Sequence, residues 1–237
     1  MTLQTQGSRR DLENQQLFST IAPRYERAVE LLSFGQDARW KADLIAELDL
    51  AEGSFVLDIG CGTGTLGRAA SEQLGNVRVV GADVVLPMLT LAQARGAALS
   101  HYYVTQQDME QLGIKNASVQ AVIAAYVLRN APNLQETLRE IARVLEPGGQ
   151  FVFLDFVRSP NPVFRAIQDV IIGAWATICG VFVFDDARSG LAIPRSLQQY
   201  PDRAALADIV VSSGLTAPTF RLRAFGSVGI GLCRKAY

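Results

Sequence analysis

The segment Val56-Leu57-Asp58-Ile59-Gly60-Cys61-Gly62-Thr63-Gly64 closes an apolar run and opens a helical pattern. Glycines at 60, 62 and 64 permit positive φ and let a ligand approach the backbone closely. The spacing is GxGxG, whereas dinucleotide sites carry GxGxxG, and position 65 has no glycine to offer a further N–H to a pyrophosphate. Asp58, two residues before the first glycine, would repel phosphate. Such a turn suits a cationic ligand that carries an adenosine and no diphosphate. Nineteen residues past Gly64, Asp83 ends the next apolar run, where an acid can accept both hydroxyls of a ribose. Asp108-Met109 ends the third, where the carboxylate can accept from an adenine amino group and the apolar neighbour can pack on its ring. A lone GxG between strand and helix is often only a tight turn; three acids at the ends of three successive strands are a constellation.

Those residues need a frame that brings strand ends together. Phe55–Ile59, Val77–Ala82, Tyr102–Val104, Val119–Ala124 and Phe151–Phe156 read as strands, alternating with helical patterns over Thr65–Leu74, Leu86–Arg95 and Leu134–Leu145. Leu145-Glu146-Pro147-Gly148-Gly149 reads as a helix stop and turn into the fifth strand. Two helices are expected from Leu17 to Leu50, after polar and frayed residues 1–16. Beyond Asn161 the pattern is helical again through the uncharged run Val170–Phe184. Its 15 residues fall short of a spanning helix, which needs about 20, so a buried or interfacial helix is expected. A helix over Pro201–Ser213 then leads to closing strands near Thr219–Ala224 and Ser227–Cys233. The expected fold is one α/β domain over residues 17–237. It is doubly wound around a seven-stranded, mostly parallel sheet, with extra N-terminal helices and a helical insertion over residues 160–200 before the last strands. The ligand belongs at the carboxyl ends of the strands.

Composition narrows the functions. The 237 residues are 49% hydrophobic and 19% charged, which excludes disordered, collagen-like and coiled-coil chains. With 22 Lys+Arg against 23 Asp+Glu, no global field draws in nucleic acid. The segment Arg188–Tyr237 carries seven basic residues against two acids, a stretch that either rests on anionic lipid or offsets a more acidic front half. Cys61, Cys179 and Cys233 form no CxxC pair and His101 is the single histidine, so no metal site is expected. The cysteines suit a reducing compartment and the N-terminus has no apolar signal region, so the chain is expected in the cytoplasm. Peripheral membrane contact and a homodimer stay open.

The Gly60–Gly64 loop, Asp83 and Asp108-Met109 are the residues in which the chain resembles class I S-adenosylmethionine-dependent methyltransferases. The resemblance implies that Asp58, Gly60, Gly62, Thr63 and Gly64 cradle the methionine part of S-adenosylmethionine. It also implies that Asp83 with Val84 takes the ribose, that Asp108 with Met109 takes the adenine, and that S-adenosylhomocysteine leaves as product. A closer likeness spans Leu17 to Lys235. Phe18-Ser19-Thr20-Ile21-Ala22-Pro23-Arg24-Tyr25, Leu32-Ser33-Phe34-Gly35, Trp40-Lys41, Leu128-Arg129-Asn130 and Pro147-Gly148-Gly149 resemble the ubiquinone/menaquinone C-methyltransferases, as do Pro160-Asn161-Pro162 and Pro194-Arg195-Ser196 through Tyr200-Pro201. The chain also departs from that family: Glu26 stands where it has Asp, Asp37 where it has His, Glu146 for Lys, Asp155 for Glu, Val157 for Ser, and Ala125 for a serine near the cofactor, so that several substrate-side positions have changed. This pattern is that of a relative with a shifted substrate.

For this family the resemblance implies C-methylation of a prenylated quinol or related phenolic ring, a small hydrophobic or aromatic substrate. It places Arg129 and Asn130 above the transferring methyl and the helices of residues 17–50 as a lid. Tyr25 either reaches over the methionine end or is an amphipathic residue of a packed helix, and Tyr126 stands either beside the methyl position or in the core. Arg129 would stabilise a developing phenolate, being too strong an acid to act as a free base; its alternative is a salt bridge to a neighbouring acid. Asn130 alternatively caps the next helix. Asp37 and Glu26 read as helix-surface charges or substrate contacts. Trp175, Phe182 and Phe184 could line a channel for a prenyl tail. Two other functions compete: an O-, N- or C-methyltransferase of a specialised metabolite or lipid, and a cofactor-binding cyclase or binding module without methyl transfer.

Overall fold

The apolar runs at the centre of the chain are buried on both faces, so their backbone groups can be satisfied only by neighbouring strands. In the computed structural model, which describes residue 12 and residues 14–184 and 190–236, they pair as β1 (Phe55–Ile59), β2 (Arg78–Asp83), β3 (Tyr102–Gln106), β4 (Val119–Ala125) and β5 (Leu145–Phe156). With β6 (Thr219–Arg223) and β7 (Val228–Arg234) they make a seven-stranded sheet of order β3-β2-β1-β4-β5-β7-β6. The first five strands are parallel, and β7 runs antiparallel to both β5 and β6. This is the sheet that the sequence predicts. Most of the N-terminal residues expected to be frayed, and Arg188 of the basic stretch, lie outside the described residues.

Helices cover both faces. Helical residues 14–21 and a 3-10 turn (Ala22–Arg24) lead into α1 (Tyr25–Leu32) and α2 (Asp37–Ile45). The crossovers are α3 (Thr65–Gln73), α4 (Leu86–Gly96) and α5 (Leu134–Val144); between β5 and β6 come α6 (Pro162–Phe184), α7 (Ala192–Gln199) and α8 (Arg203–Ser212). Strand residues alternate between two cores, as the pleat requires. Leu57, Ile59, Val122, Phe151 and Phe153 pack with Leu138, Ile141 and Val210 on one face. Val56, Ala121, Ile123, Val152 and Leu154 pack with Trp40, Leu44 and Leu66 on the other.

Three expectations are corrected. Leu145–Gly149 does stop α5, yet it continues as the first part of β5: Leu145 pairs with Val119, and the register shifts between Val119 and Ala121. Gly148, at φ 78°, absorbs that irregularity. The cap of α5 is Asn133, whose side chain accepts from the N–H groups of Gln135 and Glu136, and not Asn130. The apolar run is part of a 23-residue helix, α6, which is long and apolar enough by length and composition to cross a membrane. It is not a buried helix either, since only 28% of its most apolar window is buried. The sequence count stopped at Asp169, but in a helix that carboxylate and Arg165 turn to one side, where they pair with Arg158 and Asp202.

β1 bonds to β2 on one side and to β4 on the other, so a crevice opens at the carboxyl ends of β1 and β4. The packing that holds the sheet edge is tight. A Cβ on Gly231 of β7 would stand 2.3 Å from the ring of its fully buried partner Phe153. Gly231→Ala should therefore cost about 2 kcal/mol through overpacking, read by urea unfolding; an unchanged midpoint would show that the ring has room to move.

Candidate active site

The loop after β1 is shaped by two different demands on glycine. A Cβ at Gly60 would lie 2.1 Å from Val127 Cγ2, so the backbones after β1 and β4 touch. Gly62, at φ 54°, has open space where its Cβ would be, with only the Tyr25 ring at 4.0 Å. That is a cradle which a side chain would fill. The Gly62 N–H donates to Asp83 Oδ2 at 2.8 Å, and the Val85 N–H donates to Asp83 Oδ1 at 2.8 Å. One carboxylate at the end of β2 thus ties down the loop after β1 and the start of α4, and each oxygen retains a lone pair. Burial raises the pKa of Asp83, opposed by the N–H groups of Val85, Gly62 and Val84.

A cleft runs along this carboxylate. Gly60, Gly62, Asp83, Val84, Asp108 and Met109 form one side; Tyr25, Ala125, Tyr126 and Asn130 form the other. Phe18, Val85 and Met88 also line it, and their apolar spacing in the sequence carried no sign of it. Asp58, Thr63 and Gly64 stand behind the loop and not in the cleft. Asp58 Oδ2 accepts the Gly67 N–H at 2.9 Å in the first turn of α3. The Thr63 hydroxyl donates to Glu26 Oε1 at 2.8 Å, and Glu26 also pairs with Arg95 at 2.7 Å and Arg68 at 3.4 Å. Glu26 is therefore the clamp that fastens α1 over the glycine loop, a role that its position on a helix surface did not announce.

Tyr25, Tyr126, Asn130 and Phe18 line a second cavity as well, of about 880 Å³ and mostly apolar. Its walls include Trp40, Phe156, Ile171, Trp175 and Phe184. Phe182, expected in this wall, is turned outward and 77% exposed. Arg129 lines the same cavity; its Nη1 donates to Asp155 Oδ1 at 3.2 Å and to the Tyr126 carbonyl, while its Nε has no partner among the described residues. The salt bridge, one of the two alternatives for Arg129, is present, and the same residue also lines the cavity. Asn130 Nδ2 donates to the Tyr126 carbonyl at 3.3 Å.

Tyr126 marks the junction of the two spaces. It adopts φ 59°, a strained conformation for an aromatic residue. Its hydroxyl is buried with no partner at ordinary hydrogen-bond distance among the described residues, and the acceptor that acts on it is the Asp37 carboxylate. Burial, with the nearby carboxylate of Asp37, pushes the phenol well above its usual range. Asp37 is itself held by Lys41 at 2.6 Å. The Tyr25 phenol is pushed up to about 12, chiefly by burial, against the pull of the Arg129 charge. Both tyrosines therefore stay protonated at neutral pH and can donate hydrogen bonds.

A doubly wound sheet with its last strand antiparallel, a GxGxG turn and an acid closing the second strand together define a class I S-adenosylmethionine-dependent methyltransferase. The chain belongs to the ubiE/COQ5 methyltransferase family, which it matches over residues 5–235. It is 31% identical to a demethylmenaquinone methyltransferase of Thermus thermophilus, covering 90% of this chain and 97% of that protein. It is also 31% identical to the ubiquinone/menaquinone biosynthesis C-methyltransferase UbiE of Hahella chejuensis, over 84% of this chain and 82% of that one. Among solved structures, a chain from the complex of the Haloferax volcanii Trm112 methyltransferase activator with a methyltransferase superposes with a TM-score of 0.67. It covers 93% of this chain and 98% of that one at 18% identity, which speaks for the fold. A SAM-dependent methyltransferase from Aquifex aeolicus gives 0.59 over 87% and 97% of the two chains, at 15% identity. The protein is thus an S-adenosylmethionine-dependent methyltransferase.

Asp58 offers a test of this geometry. Burial pushes its pKa from 3.8 to about 7, against the Gly67 N–H and the charge of Lys41. Between those values the unfolded chain loses the proton while the folded chain keeps it, so stability falls as pH rises from about 4 to about 7. Across that window the wild type should lose on the order of a few kcal/mol relative to Asp58→Asn. Parallel pH profiles in urea unfolding would show that Asp58 is not buried as described.

Proposed function

We propose that the enzyme methylates a ring carbon of a prenylated quinol or closely related phenolic compound. The observation that carries this reading is the large apolar cavity meeting the cofactor cleft at Tyr25, Tyr126 and Asn130. The names of the family relatives, which act in menaquinone and ubiquinone formation, support it.

The residues present fit the methyl donor. Asp83 has lone pairs left for ribose hydroxyls, Asp108 and Met109 offer an acceptor and an apolar face for the adenine, and Gly62 leaves the space beneath Tyr25 open. S-adenosylmethionine, when bound, supplies an electrophilic methyl group on a sulfonium. The chain's own work is then alignment and charge control. Gly60 and Gly62 let the methionine end lie close to the backbone, and Ala125 leaves room at the end of β4. Asp58, Thr63 and Gly64 act from behind, by fixing the loop through Gly67 and Glu26.

At the reacting end, the quinol enters as the phenolate, its hydroxyl proton left in solvent, and the protonated Tyr126 hydroxyl donates to that oxygen. Once the ring carbon holds the methyl group, its own proton is lost to solvent as the ring becomes aromatic again. Asn130 orients the same ring edge. Arg129 is a source of positive field beneath the ring and is held in place by Asp155. The apolar walls exclude water from this junction, which strengthens each of these interactions.

Asp37 beside Tyr126, where the family pattern has histidine, favours a second reading: a phenolic metabolite other than a quinol. Incubation with demethylmenaquinol analogues should yield a product heavier by one methylene, with the new methyl on carbon by NMR. Transfer to oxygen, or turnover only on other phenols, would overturn the quinol reading. Tyr126→Phe should lower kcat by about 10²-fold with little change in cofactor affinity; an unchanged kcat would remove Tyr126 from the chemistry.

A further inference from the structure

The outward face of α6 is turned to solvent, and of its exposed stripe only Ile167 and Ile171 also reach the cavity. Val163, Ile167, Val170, Ile171, Ile178, Val181 and Phe182 are all exposed, and they recur at spacings of three, four and seven, which places them on one stripe. The charged residues of the helix are elsewhere: Arg165 and Asp169 pair with Asp202 and Arg158. An apolar stripe spanning 20 residues and turned toward water is the kind of exposed patch that marks a binding surface.

Two loops extend it. Phe34 and Phe225 are 71% and 100% exposed, and each is held at positive φ, 52° and 53°. That backbone is strained for a bulky residue, and the strain holds two phenyl rings out in solvent. Both rings also line the mouth of the apolar cavity, and Phe34 stacks on Trp175 of α6 at 4.7 Å. Ile167 and Ile171 belong at once to the exposed stripe and to the cavity wall. The greasy surface and the greasy cavity are therefore continuous.

We propose that this face docks on an anionic phospholipid bilayer, with α6 lying flat at the interface and Phe34 and Phe225 as wedges around an entrance for a lipid-soluble substrate. Three features favour this occupant. Arg24 and Arg27 at α1 and Arg195 on α7 are exposed, against Glu30 as the exposed acid of α1, and both helices pack against α6, which leaves a net positive charge on the helices beside the stripe. Aromatic rings beside an apolar helix face match the level of lipid headgroups. A flat orientation is imposed by the domain: Arg24 donates to the Val183 carbonyl at 3.0 Å, Trp175 Nε1 donates to the Leu32 carbonyl at 3.3 Å, and Gln168 is buried on the inner side. The helix is thereby fastened along its length and cannot thread the bilayer.

The test uses the full chain and vesicles of phosphatidylglycerol and phosphatidylcholine, without substrate, so that its outcome is independent of the quinol reading. Wild type should sediment with the vesicles, less so with phosphatidylcholine alone or at high salt. The double variant Val170→Ser with Phe182→Ser, at two positions outside both cavities, should partition about tenfold more weakly while keeping its circular dichroism and its affinity for S-adenosylhomocysteine. Wild type left in the supernatant would overturn the proposal, as would equal partition of the variant. So would a wild-type dimer in light scattering that the double variant dissociates, because a second copy would then cover the stripe.

Discussion

The bifurcated hold of Asp83 on the N–H groups of Gly62 and Val85 is the constraint on which the site depends. These groups come from two loops that follow different strands, and neither loop has a regular structure to satisfy its own donors. Without an acceptor between them, two backbone N–H groups at the floor of a cleft would go unpaired, at about 1–3 kcal/mol each. The carboxylate settles that cost and also fixes the spacing of the crevice. The positive φ of Gly62, the approach of Gly60 to Val127 and the open space beneath Tyr25 all follow from where the loop is held. Glu26 repeats the device from above, joining α1 to Thr63, Arg68 and Arg95.

Chemistry is then placed by contrast of environment. The cleft along Asp83 is lined by glycine backbone and carboxylates, while the adjoining cavity is walled by aromatic and branched side chains. The few polar groups at their boundary are buried and only partly satisfied: the Tyr126 hydroxyl, Arg129 Nε and Asp37 Oδ1 have no partners at ordinary hydrogen-bond distance among the described residues. Buried polar atoms without partners are rare in folded chains and need a reason. On the proposed function, a phenolic oxygen arriving at the junction would supply one, and the low polarity around it would make each bond count for more than in water.

Much of this is legible in the sequence, for physical reasons. β1 and β2 are short runs with β-branched residues, ended by Gly60 and Asp83, and such runs have few alternatives to a buried parallel strand. The acids Asp83 and Asp108 could be assigned to the cleft because strand ends converge in this fold. Asp58 and Thr63 could not be told apart from Gly60 and Gly62, because spacing alone does not say which side of a loop faces the ligand. The first part of β5 looks like a turn, since Pro147, Gly148 and Gly149 are local signals, whereas its pairing with Val119 is a distant one. Arg129 and Asp155 are 26 residues apart, and only the parallel pairing of β4 with β5 brings them together. The exposure of α6 was hidden for the same reason: hydropathy tells how apolar a helix is, not which part of it the rest of the chain covers.

Titration of S-adenosylmethionine into wild type and Asp83→Ala by calorimetry probes the central arrangement directly. Loss of two hydrogen bonds to a charged acceptor, and of the loop geometry that it maintains, should weaken binding by about 10²-fold or more while the chain remains folded. Equal affinity in the two proteins would contradict the assignment of this carboxylate as the organiser of the site.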